Sequence, residues 1–273
     1  MRSLKNIIAL LLIVLPIGAI AEESVHPEVS SKYTVDLGVF FPDRDMTLGA
    51  GVATRGPRGV DFSTQFDLEK SDEIFAIDFN WRFGEKWSFA AQHFQLSAEG
   101  EAVLQEDLEW KGVVFGAGSS AVGSTDFKLY RIVLGRSFGS NERTDFGIGA
   151  GLHWMDISAS IQGNILVGDG VALSVQSVTA SAPLPNITAW YMHSLSPKWA
   201  LRARADWFSA SVDEFDGSLV NLQFGVNYAL FDKAGIGAAY NYFEVDAGVD
   251  SSTWRGNANI VYKGPFVFMS VYW

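Results

Sequence analysis

The stretch Phe75-Ala76-Ile77-Asp78-Phe79-Asn80-Trp81-Arg82-Phe83 decides the fold. Every odd position carries a large apolar or aromatic side chain, whereas the even positions carry alanine, asparagine and two charges. Successive side chains of an extended strand point to opposite faces, so alternation with a period of two indicates a β-strand with one oily and one polar face.

The same alternation recurs along most of the chain, at residues 146–154, 199–207, 222–230 and 236–242. The predicted strands run about 9 to 13 residues, enough to cross a bilayer at a tilt and longer than the average soluble strand. Short turns alternate with long loops such as 98–125 and 158–185. These features predict an all-β fold, a closed antiparallel up-and-down transmembrane β-barrel.

About ten spanning strands are predicted, which places both chain ends on the same side of the membrane. Pairing of residues 47–53 and 59–68 would raise the count to twelve. Within loop 158–185, Gly168-Asp169-Gly170 is a hairpin turn signal between apolar runs and predicts an extension of the wall above the membrane. The ten strands are predicted near residues 33–41, 73–83, 87–97, 126–138, 144–156, 187–195, 199–210, 218–230, 234–244 and 253–273.

Composition limits the chemistry. The chain has 273 residues, a formal net charge of −11, 14% aromatic residues and no cysteine. The missing cysteine excludes disulfides, thiolate metal sites and cysteine nucleophiles. The acidic balance argues against nucleic acid as a partner, because binding to phosphates requires a basic surface.

The first residues predict export. Arg2 and Lys5 precede an apolar run that ends in Ala19-Ile20-Ala21, the pattern of a cleaved secretory signal. The predicted organisation is a signal peptide at 1–21, a periplasmic N-terminal leader at 22–32 and a transmembrane barrel domain at 33–273.

The last residues carry a resemblance to a known family. Val267, Met269, Val271 and Trp273 share one face, and the chain stops on an aromatic residue. This end resembles the C-terminal targeting strand of bacterial outer-membrane proteins, and the chain from 33 to 273 resembles small OmpA/OmpW-like barrels. The resemblance implies the outer membrane of a Gram-negative bacterium, with the barrel-insertion machinery, membrane lipid and lipopolysaccharide as partners.

Charged residues on the polar faces predict a network inside the lumen, in which opposite signs pair because isolated charges in a narrow barrel are costly. One alternative is a charge-paired structural plug; the other is a narrow channel for ions or small solutes. Trp81, Trp87 and Trp199 are predicted to anchor the barrel at the membrane interfaces. The predicted network comprises Asp36, Asp78, Arg82, Arg131, Arg202, Arg204 and Asp206.

Two other functions remain open at this stage. An outer-membrane hydrolase of lipid A, phospholipid or peptide would use a histidine, with His153 near Asp156 or His93 near an acidic loop residue. A secreted soluble β-sandwich or lipocalin-like binder would bury the oily faces in a core. No catalytic motif or metal spacing supports the first, and no cofactor is predicted. The acidic loops are candidates for divalent-cation bridges to lipopolysaccharide.

Overall fold

The computed structural model describes residues 25–52, 59–61, 66, 74–167, 170–212, 215–250 and 254–273. The predicted signal peptide lies outside these residues. No helix within the described ranges is long and apolar enough to cross a membrane. The elements are α1 (Pro27–Ser30), β1 (Tyr33–Phe40), β2 (Asp43–Val52), β3 (Gly59–Asp61), β4 (Ile74–Phe83), β5 (Trp87–Val103), β6 (Leu108–Trp110), β7 (Val113–Phe115), β8 (Ser120–Ser137), β9 (Thr144–Val167), β10 (Gly170–Ser194), β11 (Trp199–Val212), β12 (Phe215–Phe231), β13 (Ala234–Asp250) and β14 (Trp254–Tyr272).

Ten strands form a closed antiparallel barrel, as predicted. Their order is β1-β4-β5-β8-β9-β10-β11-β12-β13-β14, and β14 returns to pair with β1 from Phe266–Phe40 to Tyr272–Thr34. Where β1 pairs with β14, the sheet has no open edge. The backbone N–H and C=O groups of that part of the barrel therefore face a neighbouring strand.

The described parts of the two segments behind the twelve-strand alternative, residues 47–52, 59–61 and 66, add no spanning strand. β2 pairs with the first half of β14, from Trp254 to Lys263, and β1 pairs with its second half. Both strands pair with the same edge of β14. β2 therefore continues β1 after Phe41 and Pro42 and adds no further strand to the barrel circumference. β3 adds a short pairing to β2 only.

The oily faces point outward. Phe75, Phe224 and Met269 are 78%, 61% and 62% exposed, while their strand neighbours point into the barrel. Packing of these side chains between two sheets, as a soluble sandwich requires, does not occur. An exposed apolar belt of this size on a closed sheet is the surface that lipid covers.

The two ends of the barrel differ. The short connections at 84–86, 138–143, 195–198 and 232–233 lie at one end, together with Tyr33 and Trp273. We call this the turn end and the opposite one the loop end. In an outer-membrane barrel the turn end faces the periplasm.

Candidate functional site

The seven charged residues of the predicted network lie inside the barrel, in its turn-end half. The structure adds two carboxylates, Glu28 of the leader and Asp145 of β9, so that four guanidinium groups face five carboxylates. Buried charges are stable only when paired and hydrogen-bonded, and each of these has an oppositely charged neighbour.

Arg131 and Asp206 form the most deeply buried pair. The guanidinium of Arg131 donates two hydrogen bonds to the Asp206 carboxylate, at 2.8 and 2.7 Å, and the two side chains are 2% and 0% exposed. Thr188 and Asn221 donate to the same carboxylate at 2.6 and 2.9 Å. This two-pronged geometry fixes both side chains, because the planar fork of arginine matches the two carboxylate oxygens.

Arg204 connects this pair to the opposite wall. One of its nitrogens lies 3.3 Å from Asp78, another 3.7 Å from Asp206, and a third donates to Gln92 at 3.2 Å. Gln92 in turn donates to Asp78 at 3.1 Å. The lumen is therefore bridged from β11 to β4 and β5 by polar side chains.

Arg202 lies one step nearer the turn end. Its guanidinium pairs with Asp36 and, at 3.2 Å, with Glu28, and it stacks 4.7 Å from the ring centre of Phe268. Ser270 donates to Asp36 at 2.6 Å. This cluster joins β1, β11 and β14 to the leader.

The leader enters the barrel mouth. Arg82 donates to the carbonyl oxygens of Glu28, Val29 and Ser31 at 2.8, 2.6 and 3.2 Å. The backbone N–H of His26 donates to Ser194, and the His26 side chain is fully buried. The leader predicted at 22–32 therefore closes the turn end over its described part, residues 25–32.

Sequence reasoning missed this placement, although one signal was present. Pro27 follows His26, and proline is favoured at the first position of a helix, where its missing N–H costs nothing. The imidazole Nδ1 of His26 accepts a hydrogen bond from the Glu28 N–H and so caps α1. Burial lowers the pKa of His26 to about 4.

Trp190 shows why glycines line part of the lumen. Its indole lies against Gly135 and Gly147, where added Cβ atoms would come within 2.5 and 2.1 Å of the ring. The indole N–H donates to Asp145 at 3.2 Å, and Arg82 lies 3.5 Å from the same carboxylate. The absence of side chains at Gly135 and Gly147 thus leaves room for Trp190 between the charge network and the turn end.

The loop-end half of the lumen is apolar, a feature the sequence reading did not foresee. Phe127, Phe243 and Tyr262 meet in the middle, with ring centres 5.4 to 6.4 Å apart. We call the apolar block the fully or nearly fully buried interior side chains Phe40, Phe94, Phe127, Phe243, Tyr262 and Phe266. A signal was present, since Asp126 and Lys128 flank Phe127 in β8 and Tyr242 and Glu244 flank Phe243 in β13, so that the inward face is the apolar one there.

The loop end is covered from above. The small hairpin of β6 and β7 packs onto this end with its own Trp110 and Phe115 buried, together with Leu104 just before it. The Trp110 indole donates to the carbonyl of Gln176 at 3.2 Å. Phe66 packs against Gly123 and is also fully buried.

Two cavities lie on the turn-end side of the apolar block. One of about 100 Å³ lies within the charge network, between Asp36, Arg131 and Arg204. A larger one of about 490 Å³ lies at the turn end beside Lys86. Ser88 and Asp145 line both, so the polar half of the lumen adjoins the turn-end mouth.

The histidines do not form a catalytic pair with the predicted partner. His153 is fully buried, lies 3.6 Å from Asp206 and contacts Asn186 at 3.1 Å. Asp156 instead accepts from Ser181 and Trp154. His93 stacks on Tyr130, an outward-facing residue. Among the described residues there is no group of three or more histidines and carboxylates that could hold a metal ion.

The tryptophans predicted as anchors lie at the turn end. Trp87 and Trp199 are the first residues of β5 and β11, and Trp81 is opposite Tyr33. Val267, Met269 and Val271 on the outward face of β14, and Trp273 directly after it, are 45% to 62% exposed. Their roles as anchors and as a targeting signal remain predictions.

Comparison with known proteins supports the fold. No protein family and no curated protein matches the sequence. The outer membrane protease OmpT from Escherichia coli superposes with a TM-score of 0.56 at 10% identity, over 92% of this chain and 98% of that chain. The transport unit of the autotransporter AIDA-I from Escherichia coli gives 0.39 at 10% identity, over 96% of this chain and 94% of that chain. Ail of Yersinia pestis gives 0.31 at 11% identity, over 86% of this chain and 98% of that chain.

The fold and the exposed apolar belt define this chain as an outer-membrane β-barrel protein. The resemblance to small outer-membrane barrels is confirmed at the level of the fold. The likeness to the outer membrane protease is one of fold at 10% identity, and a shared fold does not carry an activity with it.

Proposed function

We propose that the protein is a sealed, membrane-structural barrel that presents a β-sheet wall at the cell surface. The observation that carries this proposal is the apolar block, which fills the lumen between the charge network and the loop end. An ion that left the network would have to shed its water among phenylalanine rings, which costs several kcal/mol.

The charge network in the turn-end half of the lumen supports the same proposal. Each of its four arginines has a carboxylate oxygen at 2.5 to 3.5 Å, so they offer little free charge to a passing solute. Removing one arginine alters only the polar half of the lumen and leaves the apolar block in place. A channel, the alternative from sequence, would require the apolar block to move.

Conductance in planar bilayers tests the proposal. The purified protein should give no ion steps, and Arg204→Ala should be equally silent because the block remains. The double variant Phe127→Ala/Phe243→Ala should conduct, because it removes two of the three rings at the centre of the block.

A heat-dependent gel-mobility shift provides the control that each variant is a folded barrel. Discrete conductance of the unmodified protein that changes with Arg204→Ala would overturn the proposal in favour of a narrow channel for ions or small solutes. Silence of a folded double variant would also contradict the assigned role of the block.

Membrane lipid, lipopolysaccharide and the barrel-insertion machinery are proposed as partners. The outward stripe on β14 supports the last of these, because it is exposed and belongs to the strand that closes the barrel. No enzymatic role is part of the proposal. His153, the nearest candidate for a base, is buried and already engaged by Asp206 and Asn186.

A further inference from the structure

The hairpin of β9 and β10 extends far beyond the membrane. The two strands have 24 and 25 residues and stay paired from Thr144–His193 to Val167–Gly170. About 9 to 11 residues suffice to cross a bilayer, so roughly half of each strand stands outside it. Asp169 is the only aspartate, glutamate, lysine or arginine between residues 157 and 194.

One edge of this extension has no neighbouring strand within the described chain. β10 pairs with β11 only from Ile187 to Ser194, whereas it pairs with β9 along its whole length. The stretch Val171–Ser181 therefore has a strand on one side only. We call this stretch the free edge.

Two prolines explain where the pairing stops. Pro183 and Pro185 follow the free edge immediately before the pairing with β11 begins. Proline has no N–H and is tolerated in a paired strand where its nitrogen faces away from the neighbour. β9 stays paired past both prolines, so their nitrogens face the β11 side. Two successive positions of β10 that face this side therefore have no backbone N–H to donate.

Above the prolines the donors return. Odd-numbered residues share the orientation of Pro183 and Pro185, so their N–H and C=O groups lie on the free edge. Lys111 donates to the carbonyl of Ser177 at 2.9 Å. Val171, Leu173 and Val175 are 68%, 66% and 55% exposed and line the same stretch. Soluble edges are normally protected by charge. Lys111 supplies one charge beside Ser177, whereas residues 170–176 carry no charged side chain.

We propose that the free edge binds an extended segment of another protein, which adds a strand to the sheet beside β10. Backbone hydrogen bonds would give affinity, and the exposed stripe of Val171, Leu173 and Val175 would select apolar residues at alternate positions. The surrounding loop end is acidic, with Glu99, Glu101, Asp107, Asp216 and Asp246 exposed. The preferred segment is therefore flanked by basic residues.

Charge argues against a second copy of this chain as the occupant. Two copies would bring two acidic loop ends together. In one membrane both copies also have the same orientation, so their free edges would run parallel, whereas symmetric pairing of two identical edges requires antiparallel strands.

The probe is a synthetic peptide of alternating threonine and valine with lysines at both ends, added to the full-length protein in detergent micelles. It should bind saturably. Leu173→Lys and Val175→Pro should each weaken binding at least about tenfold, the first by adding a like charge and the second by removing a donor. Val175→Pro repeats the geometry of the native prolines, so the fold should tolerate it.

Val103→Lys is the matched control, because Val103 is a 57% exposed valine of β5, whose pairing partners are β4 and β8. It should leave binding unchanged. A peptide with methylated backbone nitrogens should not bind. Equal binding of the methylated peptide, or no saturable binding of the unmodified one, would overturn the proposal. Dimerisation of the protein that Val175→Pro abolishes would instead assign the edge to a second copy and equally overturn it.

Discussion

Replacing Arg131 with leucine tests whether the lumen network stabilises the barrel through its deepest ion pair. Arg131→Leu leaves the Asp206 carboxylate fully buried without its two-pronged partner. Loss of one member of a buried pair costs about 3 to 5 kcal/mol. Thr188 and Asn221 continue to donate to Asp206, so the lower end of that range is expected.

The double variant Arg131→Leu/Asp206→Leu separates the pair from simple loss of packing. Removing both charges leaves no unpaired ion, and such replacements are often neutral. We therefore expect the double variant to recover most of the loss, with a coupling free energy of about 2 kcal/mol.

Urea unfolding in lipid vesicles, followed by tryptophan fluorescence, measures these differences. A loss of about 3 kcal/mol lowers the midpoint by roughly 1 M when the urea slope is about 3 kcal/mol/M. Arg136→Leu on the same strand is the control, because this side chain is exposed and its guanidinium lies 5.9 Å from the Trp87 ring centre, an interaction worth less than about 1 kcal/mol. Additive losses in the double variant, or equal effects at Arg131 and Arg136, would refute the reasoning.

Gly147→Val should prevent recovery of a heat-shifting barrel, because its Cβ would come within 2.1 Å of the Trp190 ring, whereas Gly139→Ala, with 3.8 Å to the nearest atom, should fold normally. Leader docking should weaken as the pH falls from about 6.5 to 4. In that window the undocked His26 takes up a proton that the docked, lowered-pKa form resists, so protonation favours release. Protease cleavage of the leader should rise over this range, and a His26→Gln variant should show a flat profile.

The strands could be predicted because their pattern is local. The period of two assigns Phe75 to the outward face and Asp78 to the inward face. Glycine, proline and lysine between the alternating segments mark the turns. Closure also follows, since an oily outer face in lipid permits no open edge. The ten-strand count is confirmed by the register that joins β1 to β14.

The partners inside the barrel could not be predicted from the same pattern. Asp36 and Arg202 are separated by 166 positions, and which charges meet depends on strand tilt and register. The apolar block escaped notice for a different reason. Phe127 and Phe243 are apolar on a face assigned to polar residues, and alternation alone cannot distinguish a packed lumen from a lipid-facing side.

The buried leader makes its own docking a mark of completed assembly. His26 lies against Tyr272 of the last strand and bonds Ser194 of β10, while Arg82 of β4 grips the backbone that follows. No single hairpin offers these three contacts. A label attached near residue 25 should thus become shielded from solvent only when the barrel has closed. Its accessibility therefore reports directly whether a chain has completed folding.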